Sequence, residues 1–246
     1  MAVHVLKNTK IYIDGVDLSG RMNSVTLNYT AELKDKTVFG SSYRKRLMGL
    51  FSVEMSGQGF YDASSAYSGD KILWDDVGST DQITSIVAEG TALGNIVYSA
   101  QKLSNEYTPS YQIGEIASIS FACYGQGALI RQRTMQIGNL STATSFTVRN
   151  LGYRPPLKAL YGTMHVTRGC SSGGDRLVVK VQTASSSGFS SPTTAMKFTA
   201  LTTASGHTAQ WKSTASSTAH QWYRIRINSS GGAGAIIGGI VTLGIQ

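Results

Sequence analysis

Two stretches of alternating apolar and polar positions dominate the first quarter of the chain. Over 23–30, Val25, Leu27 and Tyr29 alternate with Thr26, Asn28 and Thr30; over 51–61, Phe51, Val53 and Met55 alternate with Ser52, Glu54 and Ser56. A period of two sends successive side chains to opposite faces, so both stretches predict strands with one buried face. The connection between them runs from about Leu33 to Leu50. It carries Lys34, Lys36, Arg44, Lys45 and Arg46, with Phe39 at its apex and only Asp35 against them. Hairpin loops are usually about 2–5 residues long, and long structureless connections are uncommon unless they serve a function. The connection therefore reads as built to touch a partner. The alternative is a solvated surface loop, against which Phe39, Leu47 and Leu50 count.

The remaining pattern is also dominated by short strands. IYI at 11–13 precedes the turn pair Asp14-Gly15, a strong hairpin signal. One helix is predicted over about 70–77, capped by Asp70, with Ile72, Leu73 and Val77 inward and Gly78 as its stop. Strands are predicted at 82–88, 95–107 (ended by Pro109), 112–124 and 128–135. Five more follow at 157–167, 177–182, 195–200, 221–227 and 236–245, separated by the polar turns RGCSSGGD, SSSGFSSP and SSGGAGA. The class is mainly β: a sandwich or barrel with one short helix over 1–135, then a second antiparallel β-sandwich over 136–246.

Charge sharpens that boundary. The net charge is +8, yet residues 1–135 hold 12 basic against 13 acidic residues, and residues 136–246 hold 10 basic residues against Asp175 alone. A basic domain attracts nucleic acid or acidic glycans. Here, however, the cations are scattered singly from Arg149 to Arg226, which is the pattern of a dispersed basic surface. The two cysteines are no disulfide framework. Cys123 lies in the apolar row Ala117, Ile119, Phe121, Cys123 and reads as a buried thiol; Cys170 falls in a loop, and a bridge between the two stays open. No signal peptide and no membrane span are seen, so the chain is expected to be made in the cytoplasm and to stay soluble until it assembles.

Catalytic chemistry finds little support. His4, His165, His207 and His220 share no metal-ligand spacing, and Asp175 is the sole carboxylate available to a triad or carboxylate pair in the second half. Gly231-Gly232-Ala233-Gly234 lacks the Lys-Ser/Thr ending of a phosphate loop. Asp75 and Asp76 read as solvated helix-end acids. No catalytic residue, metal site or cofactor is assigned.

The order DLSG at 17–20, NSVTLNYTAELKDKTVFG at 23–40, YRKRLMGL at 43–50 and VEMSGQGFYD at 53–62 resembles the tail tube proteins of long-tailed bacteriophages. The family pattern falls on Thr37, Phe39, Gly40, Arg44, Arg46, Gly49, Leu50, Gly59, Phe60 and Asp62. It continues weakly to about residue 135, and residues 136–246 resemble the extra β-domain appended to some such proteins. The resemblance implies a non-enzymatic virion subunit, made in the host cytoplasm, that forms stacked six-membered rings around a DNA conduit. The implied partners are copies of itself, other tail proteins such as terminator, tape measure and distal tail proteins, and passing DNA without specific binding; no membrane is involved. Phe39, Gly40, Tyr43, Arg44, Arg46 and Leu47 are the expected inter-subunit contacts, with Asp62, Asp75 or Asp76 receiving the arginines. The basic second half is expected outside the conduit. The competing class is a capsid-decorating or glycan-binding adhesion protein, with Trp211, Trp222 and Tyr223 as sugar contacts.

Overall fold

The computed structural model describes residues 8–90, 92–141, 147–152, 158–170, 176–202, 206–215, 220–230 and 236–246. Asp175 and the Gly231–Gly234 run lie outside them. In order, the elements are β1 (Lys10–Ile13), β2 (Val16–Asp17), β3 (Met22–Asp35), β4 (Arg46–Phe60), α1 (Gly69–Asp76), β5 (Gln82–Val87), β6 (Ile96–Ser110), β7 (Ser118–Gly125), β8 (Ile130–Ser141), β9 (Arg149–Asn150), β10 (Leu160–Arg168), β11 (Arg176–Ala184), β12 (Thr193–Lys197), β13 (Thr208–Thr214), β14 (Trp222–Ser230) and β15 (Ile236–Ile245). The protein is mainly β, and α1 is the one helix among the described residues.

Two compact units are formed, but not by halves. The first gathers residues 1–20, 82–99 and 130–246; the second gathers 21–81 and 100–129. The boundary expected at 135/136 falls inside β8, a single strand paired with β15 along most of its length. β6 passes from one unit to the other: Ile96–Ser99 pair with β8, and Lys102–Ser110 pair with β7.

The first unit is a sandwich. One sheet runs β13-β10-β15-β8-β6-β5-β1-β2, with β6 represented by its first residues; the other runs β12-β11-β14-β9. Strand alternation sends Leu160, Met164 and Val166 from β10, Leu177, Val179 and Val181 from β11, and Tyr223, Ile225 and Ile227 from β14 into one apolar core. The Asp14-Gly15 turn closes β1 on β2 with φ of 43° and 84°, the doubly left-handed geometry this dipeptide favours. A Cβ at Gly15 would lie 2.3 Å from the Thr208 amide nitrogen, so only glycine fits.

A chain of buried polar side chains runs through this unit. The Gly15 N–H donates to His165 Nδ1 at 3.2 Å, which leaves the proton on Nε2, 2.8 Å from Ser85 Oγ. Ser85 Oγ lies 2.7 Å from Ser99 Oγ, and Ser99 Oγ donates to Gln132 Oε1 at 2.9 Å. Gln132 Nε2 donates to Thr163 Oγ1 at 3.0 Å, and Thr242 Oγ1 also donates to Gln132 Oε1. Burial pushes the His165 imidazole down to about 3, so the ring is neutral at pH 7.

The second unit is an antiparallel sheet in the order β3-β4-β7-β6, with α1 on one face. Val53, Met55, Ile119, Phe121 and Cys123 point to that face and are buried, as is Leu73 of α1. Ser68, rather than the expected Asp70, caps α1: its side chain accepts from the Lys71 N–H. Asp76 is not the solvated acid expected. It is buried and accepts from Lys102 Nζ at 3.0 Å, and Lys102, itself fully buried, also donates to Ser104 Oγ at 2.7 Å. Val77, expected inward, is 45% exposed. Pro109 does not end β6, which continues to Ser110 where it has only β7 beside it, a position that tolerates a missing N–H. Cys123 and Cys170 are both buried and not joined in a disulfide, so the open question of a bridge closes against it.

Candidate assembly interface

The connection expected to be a loop over 33–50 is largely strand. β3 and β4 stay paired out to Asp35 opposite Arg46, so the true loop spans only 36–45. β7 accompanies β4 no further than Glu54. Beyond that point β3 and β4 form a two-stranded ribbon, whose roughly seven paired positions at about 3.3 Å each reach some 20 Å past the sheet. Among the described residues no third layer covers the ribbon; Tyr29 and Phe51 stack on each other across it, with ring centroids 5.4 Å apart, but no core lies beneath them. Leu33, Leu47, Met48, Leu50 and Phe51 are all more than half exposed, and Tyr29 nearly so. This is why Phe51, read as the first buried residue of an alternating strand, is exposed while Val53 and Met55 are buried.

The tip nevertheless has an ordered backbone. Asp35 Oδ1 accepts from the Thr37 N–H at 2.8 Å; hydrogen bonding by the Thr37 hydroxyl first, and by this N–H second, holds its carboxyl below the usual carboxylate range. The Lys45 N–H donates to Thr37 Oγ1 at 3.0 Å, and the Lys36 N–H to the Lys45 carbonyl at 2.9 Å. Ser41 Oγ donates to the Tyr43 carbonyl at 3.0 Å. Gly40 takes φ of 83° with nothing within 4 Å of a would-be Cβ, so backbone geometry rather than crowding calls for glycine there. The loop is thus a braced turn that presents Phe39, wholly exposed, and Tyr43, 83% exposed.

All six residues singled out from the sequence (Phe39, Gly40, Tyr43, Arg44, Arg46 and Leu47) therefore sit together on one exposed projection. Among the described residues none of Lys36, Arg44, Lys45 and Arg46 forms an ion pair, whereas Lys34 pairs with Glu32 at 2.9 Å. The acids expected to receive the arginines already have partners in their own chain. Asp62 is bound by Arg21, Asp75 by Lys71, and Asp76 by the buried Lys102.

Missed by sequence reasoning is a second exposed apolar place, beside α1. Trp74 is 67% exposed and meets Tyr107 edge-on, with ring centroids 6.2 Å apart at 89°. With Val77, Asn105 and Glu106 these two rings line a hollow of about 450 Å³. Tyr107 Oη donates to Asp70; desolvation first, and that bond second, push its phenol above the ordinary range. The available signal was the spacing of Asp70 and Trp74, which places them one turn apart on the helix.

The three aromatic residues proposed for sugar contact do not assemble. Tyr223 is fully buried in the sandwich core, Trp222 precedes it on the opposite face of β14, and Trp211 belongs to β13 in the other sheet, near Tyr161. Among the described residues no group of three or more His, Cys, Asp or Glu side chains is placed to hold a metal.

No protein-family model and no curated protein matches the chain. Among solved structures the chain is similar to one in the virion of a native gene transfer agent particle, at 20% identity over 52% of this chain and 97% of that one, with a TM-score of 0.43. It is similar to a chain of the sheath–tube complex of the PVC extracellular contractile injection system in its extended state, at 12% identity over 54% and 92%, with a TM-score of 0.43. It is also similar to the SPP1 Dit protein, part of the hub adsorption apparatus in phages that infect Gram-positive hosts, at 12% identity over 98% and 100%, with a TM-score of 0.38. These likenesses are of fold, and at these TM-scores none carries an argument about what this chain does.

Proposed function

We propose that the protein is a structural subunit of a virion tail, which self-assembles into stacked rings, six-membered by family resemblance, around a conduit for DNA. The observation that carries this reading is the β3–β4 ribbon. A two-stranded ribbon is marginal on its own in water, and an exposed row of large apolar side chains marks an interaction surface. β3 adds a second reason. Among the described residues it pairs with β4 alone, so along its 14 residues one edge of backbone donors and acceptors has no partner strand there. Open edges invite pairing with another chain, and a ring of copies that closes the sheet on itself removes them.

The sheet face away from α1 suits a conduit. Where β4 lies beside β7 it presents Glu54, Ser56, Gln58 and Phe60 with Ser118, Ser120, Ala122 and Tyr124, and no lysine or arginine. DNA binding needs phosphate neutralisation by cations, so such a face lets DNA pass without gripping it. Terminator, tape measure and distal tail proteins are the further partners this role calls for. Concentrated full-length protein examined by sedimentation and negative-stain imaging is expected to form rings or hollow rods. A monomer at every concentration, or a protein that coats shells without forming rods, would overturn the reading.

A further inference from the structure

We propose that the ribbon tip of one copy seats in the hollow beside α1 of a second copy, with Phe39 and Tyr43 packing against Trp74, Val77 and Tyr107. The inference rests on the self-assembly reading and gives the ribbon its receiver.

Charge complementarity singles out this occupant. The second unit carries a basic pole and an acidic pole. At the tip, Lys36, Arg44, Lys45 and Arg46 stand without an acidic partner among the described residues. Around α1, residues 61–81 hold five aspartates against Lys71 alone. Arg21, Lys71 and Lys102 pair with three of them. Asp70, Asp81 and the hollow's own Glu106 have no cation paired to them among the described residues, so the hollow keeps a negative surround. The Lys71–Asp75 pair is about half exposed on both sides and is therefore weak enough to exchange for an incoming arginine.

The apolar parts match as well. The tip is convex, with a wholly exposed Phe39; the hollow is concave, and its Trp74 and Val77 are too exposed for core residues. Aromatic rings with arginine are the side chains that dominate interface energies, and edge-to-face packing is available to Phe39 on the indole. The buried Lys102–Asp76 bond ties α1 to β6, so the hollow's two walls are held together before a partner arrives. Two different patches make the contact head-to-tail, which propagates from copy to copy instead of stopping at a dimer.

The test places benzoylphenylalanine at position 39 of the full-length protein, irradiates it under assembling conditions and maps the cross-linked peptides. Intermolecular cross-links are expected on residues 72–78 or 103–108. Glu106→Lys is expected to raise the concentration needed for assembly at least tenfold, and adding Arg44→Glu to restore it. Because both positions are exposed, neither change should move the melting temperature. Cross-links elsewhere on a second copy, or a double variant worse than either single one, would overturn the hollow as receiver while self-assembly stands. A monomer without intermolecular cross-links at any concentration would overturn both.

Discussion

Replacing Phe39 by alanine separates folding from assembly, because the side chain has no part in the first. It is wholly exposed in the isolated subunit, so truncation removes no internal contact and is expected to change subunit stability by no more than about 0.5 kcal/mol. If the ring is buried at each subunit contact, its loss costs about 2 kcal/mol per contact, the usual worth of a phenylalanine taken from water. At 1.4 kcal/mol per factor of ten, the concentration at which assembly sets in should rise about 30-fold. Pelleting across a dilution series measures that concentration, and thermal melting with circular dichroism checks the subunit. An onset within threefold of the parent's, with an unchanged melt, would show that Phe39 faces solvent in the assembly too and would remove the ribbon tip from the joint. An onset shifted only because the variant melts lower would contradict the free-standing tip described above.

Three further outcomes follow from the core. Lys102→Met leaves Asp76 buried without its cation and should destabilise the protein by about 3–5 kcal/mol in urea unfolding, whereas Lys102→Met with Asp76→Leu should recover most of that loss; equal losses in both would show that the pair is not the anchor. Gly15→Ala forces a Cβ into the Thr208 backbone at a left-handed φ and should cost at least about 2 kcal/mol in the same assay, while Gly40→Ala, with open space around it, should cost only about 1 kcal/mol. The folded-state value of His165 is depressed to about 3, so the unfolded chain takes up the proton first. Its contribution is neutral above about pH 6.5, and stability falls as pH drops from there toward 3, by about 1.4 kcal/mol per unit. Unfolding at pH 7.5 and pH 5 should differ by about 2 kcal/mol more in the parent than in His165→Gln, and equal differences would refute the buried neutral imidazole.

Local chemistry was legible in the chain, and long-range pairing was not. The Asp14-Gly15 turn, the strand at 82–87, the short helix and the final strand at 236–245 each announce themselves within a few residues. So did the projecting residues, because Phe39 among four unpaired cations has no sensible place in a core. The length of the loop was misjudged because exposed ribbon strands lack the alternation that burial imposes: from Leu47 to Phe51 apolar residues run together, as they can when neither face is packed. The membership of β1, β5 and the start of β6 in the sandwich was invisible, since it depends on partners such as β8 that no local pattern names. Asp76 looked like a helix-end acid because its cation, Lys102, sits on a strand 26 residues away. The composition step near 136 is real, but composition follows sequence order whereas the sandwich recruits strands from both ends of the chain.

The polar chain through His165 has a consequence for how the subunit is made. Its links join residues 80, 110 and 150 positions apart in sequence. On a ribosome, the Gly15 N–H emerges long before His165, and Gln132 long before Thr242. Until β15 has left the exit tunnel, these buried partners cannot all be satisfied, so the sandwich cannot close around an early fragment. A strand shifted by one residue would strand the same groups in an apolar core, which penalises wrong registers as heavily as absent strands. The first unit therefore cannot close before β15 has been made, and its high sequence separations make that closure slow. A chain that lacks β15 is left with these buried partners unsatisfied and fails to close its sandwich as a whole.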